Sequence, residues 1–303
     1  MNLAFAREVG LLRYLWRRVW WRIKPPTRID LATGVSFPLP REKFFASDVY
    51  VTQGNVDWNA EYILAAYLKQ RTPGGDFLEV GAHIGYYSAL LSPFVRRIYA
   101  FEPDARNHPY LRETLSSLPS AKLIPQAVCD RVGRMNLSND SESSLSHLDP
   151  NSAEGTNMVD TTTIDAFVQM HQTQPAAIKV DIEGFDILAL RGALETIRQF
   201  HPVFLVEYGQ DANAANTWEA LDAFLRESGC SLYVISSVPR SGFSGYNYTF
   251  AKRSVDETRR LNTKMLFVVP APEEAWFATF AQNRGRWTSK ALRPEAVRAF
   301  LAE

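Results

Sequence analysis

The sequence lacks net charge, has few cysteines and contains no long apolar run, and each shortage removes a class of protein. Its 33 Lys and Arg balance its 33 Asp and Glu, so no overall field draws the chain onto nucleic acid, and no nucleic-acid partner is expected. The two cysteines, Cys129 and Cys230, have neither CxxC nor CxxH spacing. That excludes a zinc site or a disulfide framework and fits reduced thiols in a cytoplasmic protein. Residues 3–23 look apolar, but Arg7, Glu8, Arg13, Arg17, Arg18 and Arg22 leave no run suited to a signal peptide or a membrane span.

What is present is a chain of 303 residues, 46% hydrophobic, enough for one large core. The pattern divides it into an N-terminal amphipathic helix and hairpin cap (1–57), a catalytic domain (58–270) and a C-terminal helical extension (271–303). In the cap, Leu12, Leu15, Trp16, Val19 and Ile23 recur at helical spacing, with the arginines mostly off that stripe. Such a helix packs on its own domain, meets a second copy of the chain, or lies peripherally at the inner face of a membrane. Lys24-Pro25-Pro26 ends it, and two β-like runs around Gly34 predict a hairpin. A further helix, 58–70, leads to Pro73-Gly74-Gly75.

From Asp76 onward short apolar strands alternate with helices: strand 77–80, helix 84–95, strand 97–101, helix 104–118, strand 122–128. The rhythm resumes with strand 177–181, a helix from Phe185, strand 203–207, helix 217–227 and strand 231–235. This is an α/β fold with a mostly parallel sheet and helices on both faces. The polar stretch 138–157 reads as an insertion whose Ser143-Ser144-Leu145 borders the site. Residues 239–263 read as a specificity loop, 264–269 as a last strand, and two helices (273–282, 294–302) close the chain.

The strand FLEV runs into Gly81-Ala82-His83-Ile84-Gly85 and then a helix, which points backbone amides at a crevice. The second and third glycines of a dinucleotide fingerprint are replaced by His83 and Tyr86. Their side chains would obstruct a pyrophosphate, which disfavours NAD. A phosphate-free nucleotide such as S-adenosylmethionine fits better: Glu79 supplies an acid beside the loop, and Gly81, Ala82 and Gly85 leave room. Glu102, at the end of the second strand and 23 residues after Glu79, is placed to accept from ribose hydroxyls, with Pro103 following. At the end of the third, Ala127 and Val128 offer a flat wall to adenine and Asp130 an acceptor for its amine.

In Ile178-Lys179-Val180-Asp181-Ile182-Glu183-Gly184, three charges share one face of an extended strand. Unpaired burial would cost several kcal/mol each, so Lys179 is expected to neutralise a carboxylate. GAHIGYYS, YAFEPDARNHPYLRETL, AIKVDIEGFDILALRGALETI and VFLVEYG resemble the FkbM family of methyltransferases over roughly residues 76–208. The resemblance implies a class I methyltransferase Rossmann-like domain with a seven-stranded sheet, S-adenosylmethionine as donor, and a hydroxyl acceptor on a sugar, glycan, glycolipid or natural product. Glu79 and His83 stand where Asp and Asn are common in the family.

Methyl transfer needs a positioned hydroxyl and a base. Asp181 or Glu183 is the candidate base or orienting group, with Lys179 and Glu207 beside them and His83 a lesser candidate. The three carboxylates would suit Mg²⁺, but the adjoining Lys179 disfavours a metal. The alternatives are an NAD-dependent sugar oxidoreductase or epimerase, and a non-catalytic scaffold recruited to membranes.

Overall fold

The apolar runs that begin at Asp76, Pro175 and Val203 become the central strands of one sheet, buried on both faces as near-continuous hydrophobic strands require. A computed structural model describes residues 3–71, 74–137, 148–149, 157–208, 217–241 and 245–303. Ser143-Ser144-Leu145 lies outside the described residues.

In chain order, helices α1 (Leu3–Val9) and α2 (Leu11–Ile23) precede the hairpin β1 (Arg28–Asp30) and β2 (Ser36–Pro38), then α3 (Phe44–Thr52) and α4 (Ala60–Gln70). The alternating part follows as β3 (Asp76–Val80), α5 (Tyr86–Leu91), β4 (Ile98–Phe101), α6 (His108–Ser116) and β5 (Ala121–Ile124). A set of short strands comes next: β6 (Ala127–Val128), β7 (Gly133–Leu137), β8 (Leu148–Asp149) and β9 (Met158–Thr162). Then come α7 (Ile164–His171), β10 (Pro175–Val180), α8 (Asp186–Arg191), α9 (Leu194–Phe200), β11 (Val203–Glu207), α10 (Trp218–Ser228) and β12 (Ser231–Pro239). The chain closes with β13 (Tyr246–Lys252), α11 (Val255–Thr258), β14 (Thr263–Val269), α12 (Glu274–Arg284), β15 (Arg286–Thr288) and α13 (Pro294–Ala302). Local signals set many of these boundaries. Thr217, for example, caps α10 by accepting from the Ala220 amide at 3.1 Å, and Gly229 ends the helix at φ 68°.

The main sheet runs β15-β13-β12-β14-β11-β10-β3-β4-β5. β5, β4, β3, β10 and β11 are parallel, and β14 runs antiparallel to both β11 and β12. Numbered along the chain, strands β5 to β12 have the order 3-2-1-4-5-7-6, the expected class I methyltransferase fold. Strand order reverses between β3 and β10, and a crevice opens at their carboxyl ends.

Three expectations need correction. Among the described residues the sheet has nine strands, not seven, because Tyr246–Lys252, expected within a loop, forms β13 and pairs with Tyr233–Pro239 of β12, and β15 adds beyond it. The third strand, expected as 122–128, stops at Ile124, and Ala127–Val128 joins a separate four-stranded sheet, β6-β9-β7-β8. The N-terminal helix is two, broken at Gly10 with φ 90°. Its apolar stripe faces out: Tyr14 is buried in α2, while Leu12, Leu15, Trp16, Val19, Trp20 and Ile23 are exposed. The cap and the C-terminal helices share one core with the sheet, through Leu31, Phe37 and Leu39 on one side and Phe277, Leu292 and Val297 on the other.

Candidate active site

The crevice is a cavity of about 230 Å³. Lys179, Asp181, Glu183, Glu207, Glu79, Gly81, Ala82, Glu102, Pro103, Ala127 and Val128 all line it. Gly85 and Asp130 do not. Gly85 begins α5 at φ 80°, where an added Cβ would lie 2.8 Å from Leu111 Cδ1, so it serves helix packing. Asp130 is exposed beyond the short strand β6.

On the β3–β4 side the carboxylates are held by backbone. Gly81, also at φ 80°, packs so close to the end of β10 that a Cβ would collide with the Asp181 carbonyl. Its amide and that of Ala82 donate to the Phe101 carbonyl at 3.1 and 2.8 Å. The His83 amide donates to Glu102 Oε2 at 2.7 Å, and the Asp104 amide to Oε1 at 2.9 Å. Glu79 accepts from the Tyr87 amide at 3.1 Å, the Ser88 amide at 2.9 Å and the Ser88 hydroxyl. The amides expected to face the crevice are therefore taken, and Glu79 serves to cap α5. Burial outweighs these bonds and pushes both Glu79 and Glu102 up to about 7.

Side chains hold the β10–β11 side instead. Lys179 Nζ donates to Asp181 Oδ2 at 2.6 Å and lies 5.2 Å from the Tyr87 ring centre. Asp181 in turn is hydrogen-bonded to Glu207. Burial alone would raise the Asp181 carboxyl, but Lys179 and that hydrogen bond bring it below its usual value. Burial and the charge of Asp181 drive Glu207 far up, so Glu207 carries the proton the two share. Burial works against the charge of Lys179, yet Asp181 and Glu79 keep it well above its ordinary value.

Glu183 does not share the strand face with Lys179 and Asp181. β10 ends at Val180, and positive φ at Glu183 (50°) and Gly184 (94°) turns the chain, leaving Glu183 exposed at the cavity lip. There partial loss of hydration against the cavity wall, then the charges of Asp181 and Asp186, push it up to about 7. His83 also lines the cavity. Its Nε2 is buried without a partner among the described residues, and burial with Lys43 and Lys179 nearby lowers the ring to about 4. It is neutral at pH 7.

Among the cavity residues not anticipated, two charged ones pair with each other. Lys264, at the start of β14, pairs with Asp57 Oδ1 at 2.6 Å and donates to the Val56 carbonyl at 3.0 Å. Asp57, just before α4, also accepts from the Tyr87 hydroxyl at 2.5 Å. The only sequence signal was a lysine opening the apolar run KMLFVV, the same oddity that singled out Lys179. A Tyr-x-x-x-Lys spacing, Tyr248 to Lys252, falls on strand β13, and neither residue reaches the cavity. Among the described residues no group of three or more His, Cys, Asp and Glu has the arrangement of a metal site.

Several solved structures resemble the chain at low identity. A methyltransferase FkbM from Methylobacillus flagellatus is 16% identical with a TM-score of 0.44, covering 73% of this chain and 52% of its own. The chain thus spans about half the length of that relative. An SAM-dependent methyltransferase from Agrobacterium tumefaciens is 9% identical (TM-score 0.42; 78% and 67% covered). M. jannaschii TYW2 in complex with AdoMet is 13% identical (TM-score 0.37; 78% and 83%). No curated protein matches in sequence. The Methyltransferase FkbM domain itself matches residues 79–232, half of the chain, from the Glu79 that caps α5 past the Asp181–Glu207 pair. With the strand order and the crevice it encloses, that match makes this chain a member of the FkbM methyltransferase family.

Proposed function

We propose that the chain transfers a methyl group from S-adenosylmethionine to a hydroxyl oxygen of a sugar, glycan, glycolipid or natural product. The observation that carries this reading is the division of one cavity into a Glu102 wall and a Lys179–Asp181–Glu207 wall. The amides of Gly81, Ala82 and His83 are all used within the protein, and Glu79 occupies the first-turn amides of α5. A pyrophosphate would find these donors already taken, whereas a phosphate-free nucleoside does not need them. Glu102 would accept from ribose hydroxyls, and Ala127 and Val128 would lie against adenine. Bound there, the sulfonium supplies an electrophilic methyl group and a neutral thioether leaving group.

The chain's own work is to position and deprotonate. Asp181, held ionised by Lys179, holds the acceptor through a neighbouring polar group, leaving the one hydrogen of the reacting hydroxyl to Glu183. Glu183 takes the proton, because a base with a pKa near 7 is matched to neutral pH and Asp181 is too weak a base. As the oxygen–methyl bond forms and the sulfur–methyl bond breaks, the hydroxyl proton passes to the Glu183 carboxylate.

Titration calorimetry with S-adenosylmethionine tests the donor site. Wild type is expected to bind, and Glu102→Ala to bind roughly ten- to a hundredfold more weakly, the loss of one or two charge-assisted bonds. Equal affinity would remove Glu102 from the site. No binding by the folded wild type would remove the donor.

A further inference from the structure

Helix α2 is built inside out. At 100° per residue, Leu12, Leu15, Trp16, Val19, Trp20 and Ile23 occupy an arc of roughly 140°, and all six are exposed, Leu12 by 83% and Ile23 by 71%. The opposite face packs on α3, where Tyr14 is buried and two cations are consumed. Arg17 donates to the Val51 carbonyl at 2.6 Å, and Arg18 donates to Ser47 Oγ and Asp48 Oδ1, both at 2.7 Å. Exposed cations flank the apolar arc on both sides, Arg13 on one and Arg22 on the other, with Lys24 just past the helix end. The Trp16 and Trp20 rings stack at 5.8 Å between them.

The helix is not a loose arm. α1 buries Phe5 and Ala6, and Trp58 Nε1 donates to Glu8 Oε1 at 2.6 Å. Facing its apolar arc outward is therefore the settled arrangement of the cap. An exposed apolar stripe of this size marks a contact surface.

Charge decides which partner. Residues 1–30 hold seven Lys and Arg against two Asp and Glu, in a chain whose charges cancel overall, and α2 has no acidic residue. Pairing α2 antiparallel with a second copy would bring Arg13 against Arg22 with no carboxylate on the helix to offset them. An anionic surface satisfies both the arc and its flanks, and tryptophans between arginines suit the boundary of headgroups and acyl chains. No described helix is long and apolar enough to cross a membrane, so this would be a contact in the plane of the surface.

We propose that α2 docks the protein on an anionic lipid bilayer, with its apolar arc in the headgroup region and Arg13 and Arg22 on the lipid phosphates. The docking helix adjoins the cavity through α3: the ring of Phe44, itself 64% exposed, lies 5.8 Å from the Arg18 guanidinium, and the next residue, Phe45, lines the cavity. A membrane-borne acceptor would meet the site from a helix fixed at the surface. The docking itself does not depend on the reaction proposed above.

Vesicle flotation of the full chain tests it, with phosphatidylcholine alone and with about a third phosphatidylglycerol. Wild type should float with the anionic vesicles only. Trp16→Ser/Trp20→Ser and Arg13→Glu/Arg22→Glu, all at exposed positions, should each bind at least about tenfold more weakly while keeping the wild-type melting temperature. The proposal is overturned by a folded wild type that stays unbound, by equal flotation with neutral vesicles, or by variants that bind as well as wild type. Light scattering in lipid-free buffer adds a fourth such outcome: a wild-type dimer that Trp16→Ser/Trp20→Ser makes monomeric, which would make a second copy the occupant.

Discussion

The two walls of the cavity hold their charges by different means. On the β3–β4 wall, Glu79 and Glu102 accept from amides no more than 19 positions away, and burial leaves both near pKa 7. On the β10–β11 wall, Asp57, Lys179, Asp181, Glu207 and Lys264 compensate one another across more than 200 residues of chain. Backbone amides are fixed partial charges that only proline removes, whereas a side-chain cluster fails when one member goes. The first wall suits a ligand that must be bound the same way each time, the second a group whose proton must be managed.

That contrast is broken most severely at Lys179. Lys179→Met would leave Asp181, Glu207 and Glu79 around an uncompensated buried space, and a buried pair broken on one side costs about 3–5 kcal/mol. Glu102→Ala removes an acceptor from amides that water in the cavity can take over, and is expected to cost less than half as much. Urea denaturation of both variants measures the difference. Equal losses would mean that the two walls are held alike.

Next in size is the pH dependence of the reaction. Glu183 is ionised above about 7, so turnover should rise as pH passes 7 and level off above it. If Asp181, with its lowered pKa, were the base, no inflection would appear there. Glu183→Gln should reduce turnover on the order of a hundredfold and flatten the profile. A rate–pH curve for wild type and variant with one methyl acceptor decides between the two carboxylates. An unchanged inflection in Glu183→Gln would assign it to another group.

The same division explains what could be read in the sequence. The β3–β4 wall is local: the strand FLEV, the glycines at 81 and 85, and Glu102 at the next strand end stand in a spacing that fixes their relative positions. Lys179 and Asp181 were legible for the same reason, being two residues apart on one strand. Glu183 was misplaced because alternation was carried past Val180, where a left-handed turn ends the strand. Asp57 and Lys264 were illegible because each acquires its meaning only from the other, 207 positions away. Helix α2 failed differently. Its periodicity was visible, but which face turns inward depends on acceptors that α3 supplies, Ser47, Asp48 and the Val51 carbonyl. Residues 239–263 read as a loop although Tyr246, Tyr248 and Phe250 alternate with Asn247, Thr249 and Ala251 at a strand's period of two, because the glycines before that run and the charges after it hid its seven residues.

The smallest effect concerns the outer support of the β10–β11 wall. Glu61 on α4 fixes Asp57 by accepting from the Val56 and Asp57 amides through Oε1, at 2.7 and 3.0 Å, while Oε2 is buried without a partner among the described residues. Burial, then the nearby Asp57, raises it to about 8 from an ordinary value of 4.5. A carboxyl raised on folding binds its proton more tightly in the folded state. Its contribution to stability is whole below about pH 4.5 and is lost as pH rises through 8. Glu61→Gln keeps an oxygen for the two amides and has no proton to lose. Wild type and variant should therefore melt together in acid, and at pH 9 the variant should melt higher by roughly 2–4 °C, the shift expected from about 1 kcal/mol in a chain of this size. Scanning calorimetry at pH 5 and pH 9 measures both. A variant that melts lower at pH 9 would show that the ionised Glu61 is compensated by Lys264 after all, and that this wall extends its side-chain pairing one layer further out.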